Sequence, residues 1–306
     1  MRILIATDAW RPQVNGVVRS LESMSQAASQ LGAEIDFVTP RDFNSMPMPT
    51  YREIDLAFAT PRAVKRRLEA GYDHVHIATE GPVGLAARAC CLSSRRCFTT
   101  SYHTRFPEYI HARVGVPVGL TYAALRWFHN AGAGTMASTQ SLARELSERG
   151  FKRILRWSRG VDHQTFNPKA AIQLDFPRPI FLYAGRLAVE KNVEAFLSLD
   201  LPGTKLVAGD GPARRKLEAQ YPAARFLGVK TSTELAALYA SCDAFVFPSR
   251  TDTFGMVLLE AMACGAPVAA FPTPGPLDVV GASGAGVLDE DLRAAALKAL
   301  TIDREI

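Results

Sequence analysis

The stretch AFVFPSRTDTFGMVLLEAMACG, residues 244–265, decides the fold. AFVFP has the apolar, β-prone character of a buried strand, and the run from Met256 onward is an apolar helix. The loop between them lies at the carboxyl end of a strand, where sheets built from alternating strands and helices bind ligands. Phe254 and Gly255 open the helix, and its free N–H groups there suit a phosphate. Asp252 stands just before the helix and Glu260 about two turns later. Carboxylates at those places accept hydrogen bonds from paired hydroxyls at the two ends of a ligand. Both acids also have a plain structural reading, Asp252 as a helix cap and Glu260 as a buried acid with a partner.

Outward from this stretch the same unit recurs. MRILIAT opens the chain as a strand. Further strand-like runs are IDFVT (35–39), HVHIA (74–78), RCFTTSY (96–102), TMAST (135–139), IFLYAG (180–185), KLVAG (205–209), ARFLG (224–228) and PVAAF (267–271). Amphipathic stretches such as VVRSLESMSQAASQLG (17–32) and ELAALYASC (234–242) lie between them. This alternation predicts an α/β protein with parallel sheets covered on both faces. The pattern restarts near residue 178, after FNPKAAIQLDFPRP (166–179), a proline-rich segment without helical period that reads as a linker. The expected organisation is two doubly wound, Rossmann-like domains, residues 1–165 and 166–306, facing an interdomain cleft.

A chain of 306 residues with 48% hydrophobic and 21% charged residues can bury a core in each half. No apolar run reaches the ~18–20 residues of a membrane-spanning helix. The start of the chain lacks the apolar region and cleavage site of a secretory signal, so a cytoplasmic protein is expected. Five cysteines without a CxxC pair predict buried free thiols, not a disulfide framework or a zinc site. Charge is uneven: residues 1–165 carry 21 Lys/Arg against 14 Asp/Glu, and residues 166–306 carry 14 against 16. The basic half has two readings, a solvated surface or a face for an anionic partner such as a lipid surface or nucleic acid.

The segment Ser249–Gly265 resembles the donor-site motif of retaining GT-B glycosyltransferases of family 4. These carry two acidic residues separated by seven, and Asp252 and Glu260 match the spacing. The first acid is usually Glu in the family and is Asp here. The resemblance covers Met1 to about Asp278 and implies the GT-B fold. It implies that Asp252 touches sugar hydroxyls, that Glu260 binds the ribose, and that the amides around Phe254 and Gly255 meet a diphosphate. Tyr183–Asn192 (YAGRLAVEKN) agrees. Arg186 and Lys191 follow a strand, one a planar fork and the other a point charge, and in the family this pair holds the diphosphate. Gly209, in Gly209-Asp210-Gly211-Pro212, is either a tight turn or, as the resemblance implies, a loop near the nucleoside.

In the N-terminal half the resemblance places the loop at Asn15-Gly16 over the diphosphate, and Gly16 allows close backbone approach. It places His103, in SYHTRFPEY (101–109), near the transferred sugar, in a segment similar to that of sulfoquinovosyl and lipid-directed members. Glu80 and Arg105 are candidates for the acceptor side, with a helix cap as the rival reading of Glu80. The implied reaction is retaining transfer of a hexosyl group from a nucleotide-diphosphate sugar, UDP-linked before GDP-mannose, to an acceptor hydroxyl. Arg186, Lys191 and helix amides take the place of a metal, and no metal or cofactor is expected. The acceptor is expected to be a membrane lipid such as diacylglycerol, met at the inner face of the plasma membrane; no nucleic acid is expected as partner. Rival readings are a GT-B epimerase or phosphorylase and a non-catalytic nucleotide-sugar-binding module. A dehydrogenase is excluded because Gly132–Ala137, which matches GxGxxA, precedes a strand instead of following one. Family members usually continue into a C-terminal helix that crosses back to the first domain, and that helix is expected to be missing here.

Overall fold

In the computed structural model, which describes residues 1–13, 15–48, 51–281 and 283–304, the chain divides into two units, Met1–Ser158 and Arg159–Ile306. The division precedes the expected boundary at 165/166 because Val161 and Phe166 already pack into the core of the second unit.

The first unit runs β1 (Arg2–Ala6), α1 (Gly16–Gln30), β2 (Glu34–Val38), β3 (Ser45–Met48), β4 (Tyr51–Ala57), α2 (Pro61–Leu68) and β5 (His74–Ile77). It continues through α3 (Pro82–Ser93), β6 (Thr99–Ser101), α4 (Phe106–Val114), α5 (Val118–His129), β7 (Gly134–Ala137), α6 (Gln140–Glu148) and β8 (Ile154–Arg156). Its main sheet has the order β2-β1-β5-β6-β7-β8, and every pairing in it is parallel. One apolar cluster joins Leu4, Val75 and Ile77 to Val64 of α2 and Val83 of α3. A second, around Ile5 and Leu21, lies under α1. The antiparallel hairpin β3–β4 was not expected, since the prolines in SMPMPTYREIDLA argue against a strand.

The second unit runs β9 (Ile180–Ala184), α7 (Val193–Leu197), β10 (Thr204–Ala208), α8 (Arg214–Gln220), β11 (Arg225–Gly228), α9 (Ser232–Ser241) and β12 (Ala244–Phe247). It ends with α10 (Met256–Ala263), β13 (Val268–Ala270), α11 (Pro274–Val279), β14 (Gly286–Leu288) and α12 (Leu292–Ala299). The sheet order is β11-β10-β9-β12-β13-β14. β9 shows why near-continuous apolar runs mark central parallel strands. Ile180, Leu182 and Ala184 enter one core, while Phe181 and Tyr183 enter the other. Both units are therefore doubly wound, as the alternation predicts. β8 and β14, three residues each at sheet edges, carry too short a pattern to be read.

Among the cysteines, Cys90, Cys91, Cys242 and Cys264 are buried free thiols and Cys97 is exposed. Burial pushes the thiols of Cys91, Cys242 and Cys264 up to about 12.

The loops leaving β9 and β10 touch backbone to backbone. A Cβ on Gly209, whose φ is +137°, would stand 1.9 Å from the carbonyl oxygen of Gly185. One on Gly211 would stand 2.4 Å from that of Leu187. Gly209→Ala is expected to cost at least about 2 kcal/mol, because both steric room and backbone conformation are lost. Gly119→Ala, in α5 with no neighbour within 4 Å of the added carbon, is expected to be neutral or stabilising by up to about 1 kcal/mol. Urea denaturation of the two variants checks the contrast.

Candidate active site

Three loops at the carboxyl ends of β10, β9 and β12, adjacent in the sheet, form one hydrogen-bonded surface in the second unit. From β9, Leu187 N–H donates to Asp210 O at 2.9 Å, and Leu187 O accepts from Ala213 N–H at 2.9 Å. This ties the first loop to the loop after β10. From β12, Thr251 Oγ1 donates to Glu190 O at 3.1 Å, and Asn192 Nδ2 donates to Pro248 O at 3.0 Å. Asn192 adopts the left-handed conformation, φ +52°, between the turn Val189–Lys191 and α7. That reversal brings Lys191 back over the β12 loop, where its Nζ lies 2.5 Å from Asp252 Oδ1.

The Lys191–Asp252 pair is mostly shielded, with 25% and 15% of the side chains exposed. Asp252 Oδ2 is buried and has no hydrogen-bond partner among the described residues. The cap reading of Asp252 does not apply. α10 starts after Gly255, whose φ is +83°, and no side chain caps it. A Cβ at Gly255 would meet Leu258 at 2.9 Å and the Phe247 ring at 3.1 Å, so glycine is required to turn the loop into the helix. Phe254 is buried, and its carbonyl abuts the start of α11 at Gly275. No side chain therefore caps the first amides of α10, in the loop that also carries Asp252.

Arg186 is partly buried, and its carbonyl accepts from Tyr183 Oη at 2.8 Å. Burial, then the charges of Asp252 and Glu190, push the Tyr183 hydroxyl well above its usual range, so it stays a donor. Gly209 serves the close loop contact already described. Glu260 is 3% exposed and accepts from Tyr239 Oη of α9 at 3.3 Å. It sits as a buried, paired acid about one turn into α10, while Lys191 and Asp252 meet at the loop.

In the first unit, Asn15 caps α1, its Oδ1 accepting from Val17 N–H and Val18 N–H at 3.0 Å each. Gly16 is the exposed first residue of that helix. His103 follows β6 and packs edge-on against Trp157, ring centroids 6.0 Å apart. Arg105 forks onto Glu145 at 2.6 and 3.2 Å, with its side chain 12% exposed. Its guanidinium is thus held by an acid of α6. Glu80 Oε1 pairs with buried His129 at 3.1 Å, and His129 Nδ1 reaches Thr100 Oγ1 at 2.8 Å.

Glu80 does not cap α3. Asp8, just after β1, does so and was not singled out in the sequence. Its carboxylate accepts from Val83 N–H at 2.7 Å, Gly84 N–H at 3.2 Å and Thr79 Oγ1 at 2.8 Å. Burial outweighs these bonds and raises its pKa. An acid beyond the first strand was the only signal, because the helix that it caps starts some 75 residues later, about 75 being the separation of Asp8 from Val83.

Two parallel doubly wound units, the second with a cation–carboxylate pair beside an uncapped helix start, match the architecture of GT-B glycosyltransferases. Residues 14–165 match the family "Glycosyltransferase Family 4", and residues 178–303 match "Glycosyl transferases group 1". The chain is 31% identical to a GDP-mannose-dependent alpha-mannosyltransferase of Mycolicibacterium smegmatis, covering 94% of this chain and 84% of the relative. It is 28% identical to the sulfoquinovosyl transferase SQD2 of Arabidopsis thaliana, covering 87% of this chain but 58% of that relative. Sucrose-phosphate synthase from Thermosynechococcus elongatus shares the fold, with a TM-score of 0.77 at 18% identity over 99% of this chain and 90% of that one. The chain belongs to glycosyltransferase family 4, an enzyme family of the hexosyltransferase class.

Asp8 gives a pH-dependent expectation. Its folded-state pKa is raised, so the folded protein binds the proton more tightly than the unfolded chain. Its contribution to stability is full below the ordinary aspartate value and is lost as pH rises through the raised one. The stability of Asp8→Asn relative to wild type should therefore shift in the variant's favour as pH rises across that window. Urea midpoints measured through the acidic range check this, and a difference flat in pH contradicts it.

Proposed function

We propose that the protein transfers a hexosyl group, with retention at the anomeric carbon, from a nucleotide-diphosphate sugar to an acceptor hydroxyl. The observation that carries this reading is the Lys191–Asp252 pair in the loop that leads to the uncapped amides of α10. Lys191, Arg186 and those amides stabilise the charge that builds on the leaving diphosphate, without a metal. Asp252 Oδ2 accepts from a donor hydroxyl. His103 contacts the transferred sugar and steadies its developing charge. Glu260 holds the ribose only where that ligand reaches past Tyr239. The bond from the anomeric carbon to phosphate oxygen breaks as the acceptor oxygen bonds the same face, and a phosphate oxygen takes the acceptor proton. The 31% identical relative is named for GDP-mannose, which favours GDP-mannose over the UDP-hexose put first by the sequence.

The acceptor reading is a membrane lipid, with the protein peripheral to the cytoplasmic face. Among the described residues no helix is long and apolar enough to cross a membrane. Support comes from the outer faces of α2, α3 and α5. Leu85 and Leu92 of α3 and Leu120 and Trp127 of α5 are 43–66% exposed. The Arg88 guanidinium, 3.7 Å over the Trp127 ring, joins the two helices. α2, packed on α3, exposes Lys65, Arg66 and Arg67. Exposed tryptophan flanked by basic residues suits an anionic lipid surface.

Arg186→Ala and Lys191→Ala are each expected to lower turnover at least about 100-fold while GDP, UDP and their sugars are screened by thermal shift against the wild type. Near-normal turnover in both folded variants contradicts the electrostatic role. On vesicles, wild type should co-sediment with phosphatidylglycerol and less with phosphatidylcholine, and high salt or Lys65→Glu/Arg66→Glu should release it. Failure of the wild type on both lipids contradicts the membrane reading.

A further inference from the structure

In the first unit a line of side chains ends on His103. His76 lies in β5 between Val75 and Ile77, which enter the core under α2 and α3, so its ring points to the opposite sheet face. It is 6% exposed. Its Nδ1 lies 2.8 Å from Thr99 Oγ1 and its Nε2 2.8 Å from Ser101 Oγ. Thr99 and Ser101 share one face of β6, and Thr99 is the registered partner of His76. Both ring nitrogens are thus held by hydroxyls from the neighbouring strand, and turning the ring breaks two buried hydrogen bonds.

Trp157 is the first residue after β8, and its N–H donates to Ala137 O at 3.0 Å. Its side chain meets His76 edge-on, centroids 6.2 Å apart and planes at 80°. It meets His103 at 6.0 Å and 64°. Both geometries fall in the T-shaped range in which aromatic rings attract. His103 packs against this wall. It stands two residues beyond β6, where the ladder bond from Tyr102 N–H to Met136 O, 3.0 Å long, is the preceding tie to the sheet.

We propose that Trp157 is a positioning residue that fixes the His103 imidazole, with His76 as its anchor. The proposal rests on the reading of His103 as a contact of the transferred sugar. Trp157 acts through His103, and its removal leaves the backbone in place while the imidazole swings out of productive geometry.

The test compares Trp157→Leu, Trp157→Phe, His103→Ala and the double variant His103→Ala/Trp157→Leu, each checked for a wild-type-like melting transition. Trp157→Leu is expected to lower kcat about tenfold at unchanged donor KM, and Trp157→Phe to restore most of it. In the His103→Ala background, Trp157→Leu should have no further effect on kcat, as expected of two residues acting as a unit. In the free protein, the NMR order parameter of the His103 Cε1–H bond should fall in Trp157→Leu and hold in Trp157→Phe. Equal loss of kcat in both backgrounds, or an unchanged order parameter, overturns the proposal. If His103→Ala turns over like wild type, the sugar-contact reading of His103 fails instead. The order parameter, which requires no substrate, then decides the positioning role by itself.

Discussion

The loops that leave β9 and β10 approach until the carbonyl of Gly185 leaves no room for a carbon on Gly209. The second unit of the protein depends on that contact. Leu187 is tied through both its N–H and its carbonyl to the second loop, so the backbone on either side of Arg186 is fixed before any ligand arrives. The turn Val189–Lys191 follows at once and is held to the β12 loop by Thr251 and Asn192. A cationic site stabilises a leaving diphosphate most when its charges need not reorganise. Glycine makes that rigidity available because the two backbones can then meet without side chains between them.

Much of this was legible in the sequence, and the residues show why. β9 and β12 declare themselves because IFLYA and AFVF are apolar at every position, as a strand buried on both faces must be. Arg186, Lys191 and Asp252 were legible because each lies a few residues past such a strand. That Lys191 pairs with Asp252 was not legible. It requires Asn192 to turn left-handed and the two loops to be strand neighbours, and local pattern encodes neither. Asp8 stayed hidden for the same reason, since its partners belong to a helix far along the chain. Glu260 divided two readings that spacing alone could not separate, and its burial against Tyr239 is a fact of tertiary packing.

The N-terminal unit invests its polar residues in internal pairs. Arg105 faces Glu145, Glu80 faces His129, and Asp8 faces the amides of α3. Burial opposes the charge of Arg105, yet Glu145 and Glu108 more than offset it and hold the guanidinium above its usual range. A cation so engaged cannot leave its acid without a large desolvation cost. It ties the start of α4 to α6 instead. Sequence position marked Arg105 and Glu80 as facing a ligand because strand-to-helix loops usually do. In the structure both are engaged in pairs that lock those loops.

The cation–carboxylate pair of the second unit has a stereochemical corollary. A free carboxylate rotates about its Cβ–Cγ bond and offers either oxygen to any hydroxyl within reach. In Asp252 one oxygen is held by Lys191, and the other is buried without a hydrogen-bond partner among the described residues. An acceptor fixed in this way registers the orientation of a hydroxyl as well as its presence. On the proposed reading of Asp252 as the contact of the donor sugar, two sugars differing only at one carbon, axial in one and equatorial in the other, are told apart by the lysine that immobilises the acid as much as by the acid itself.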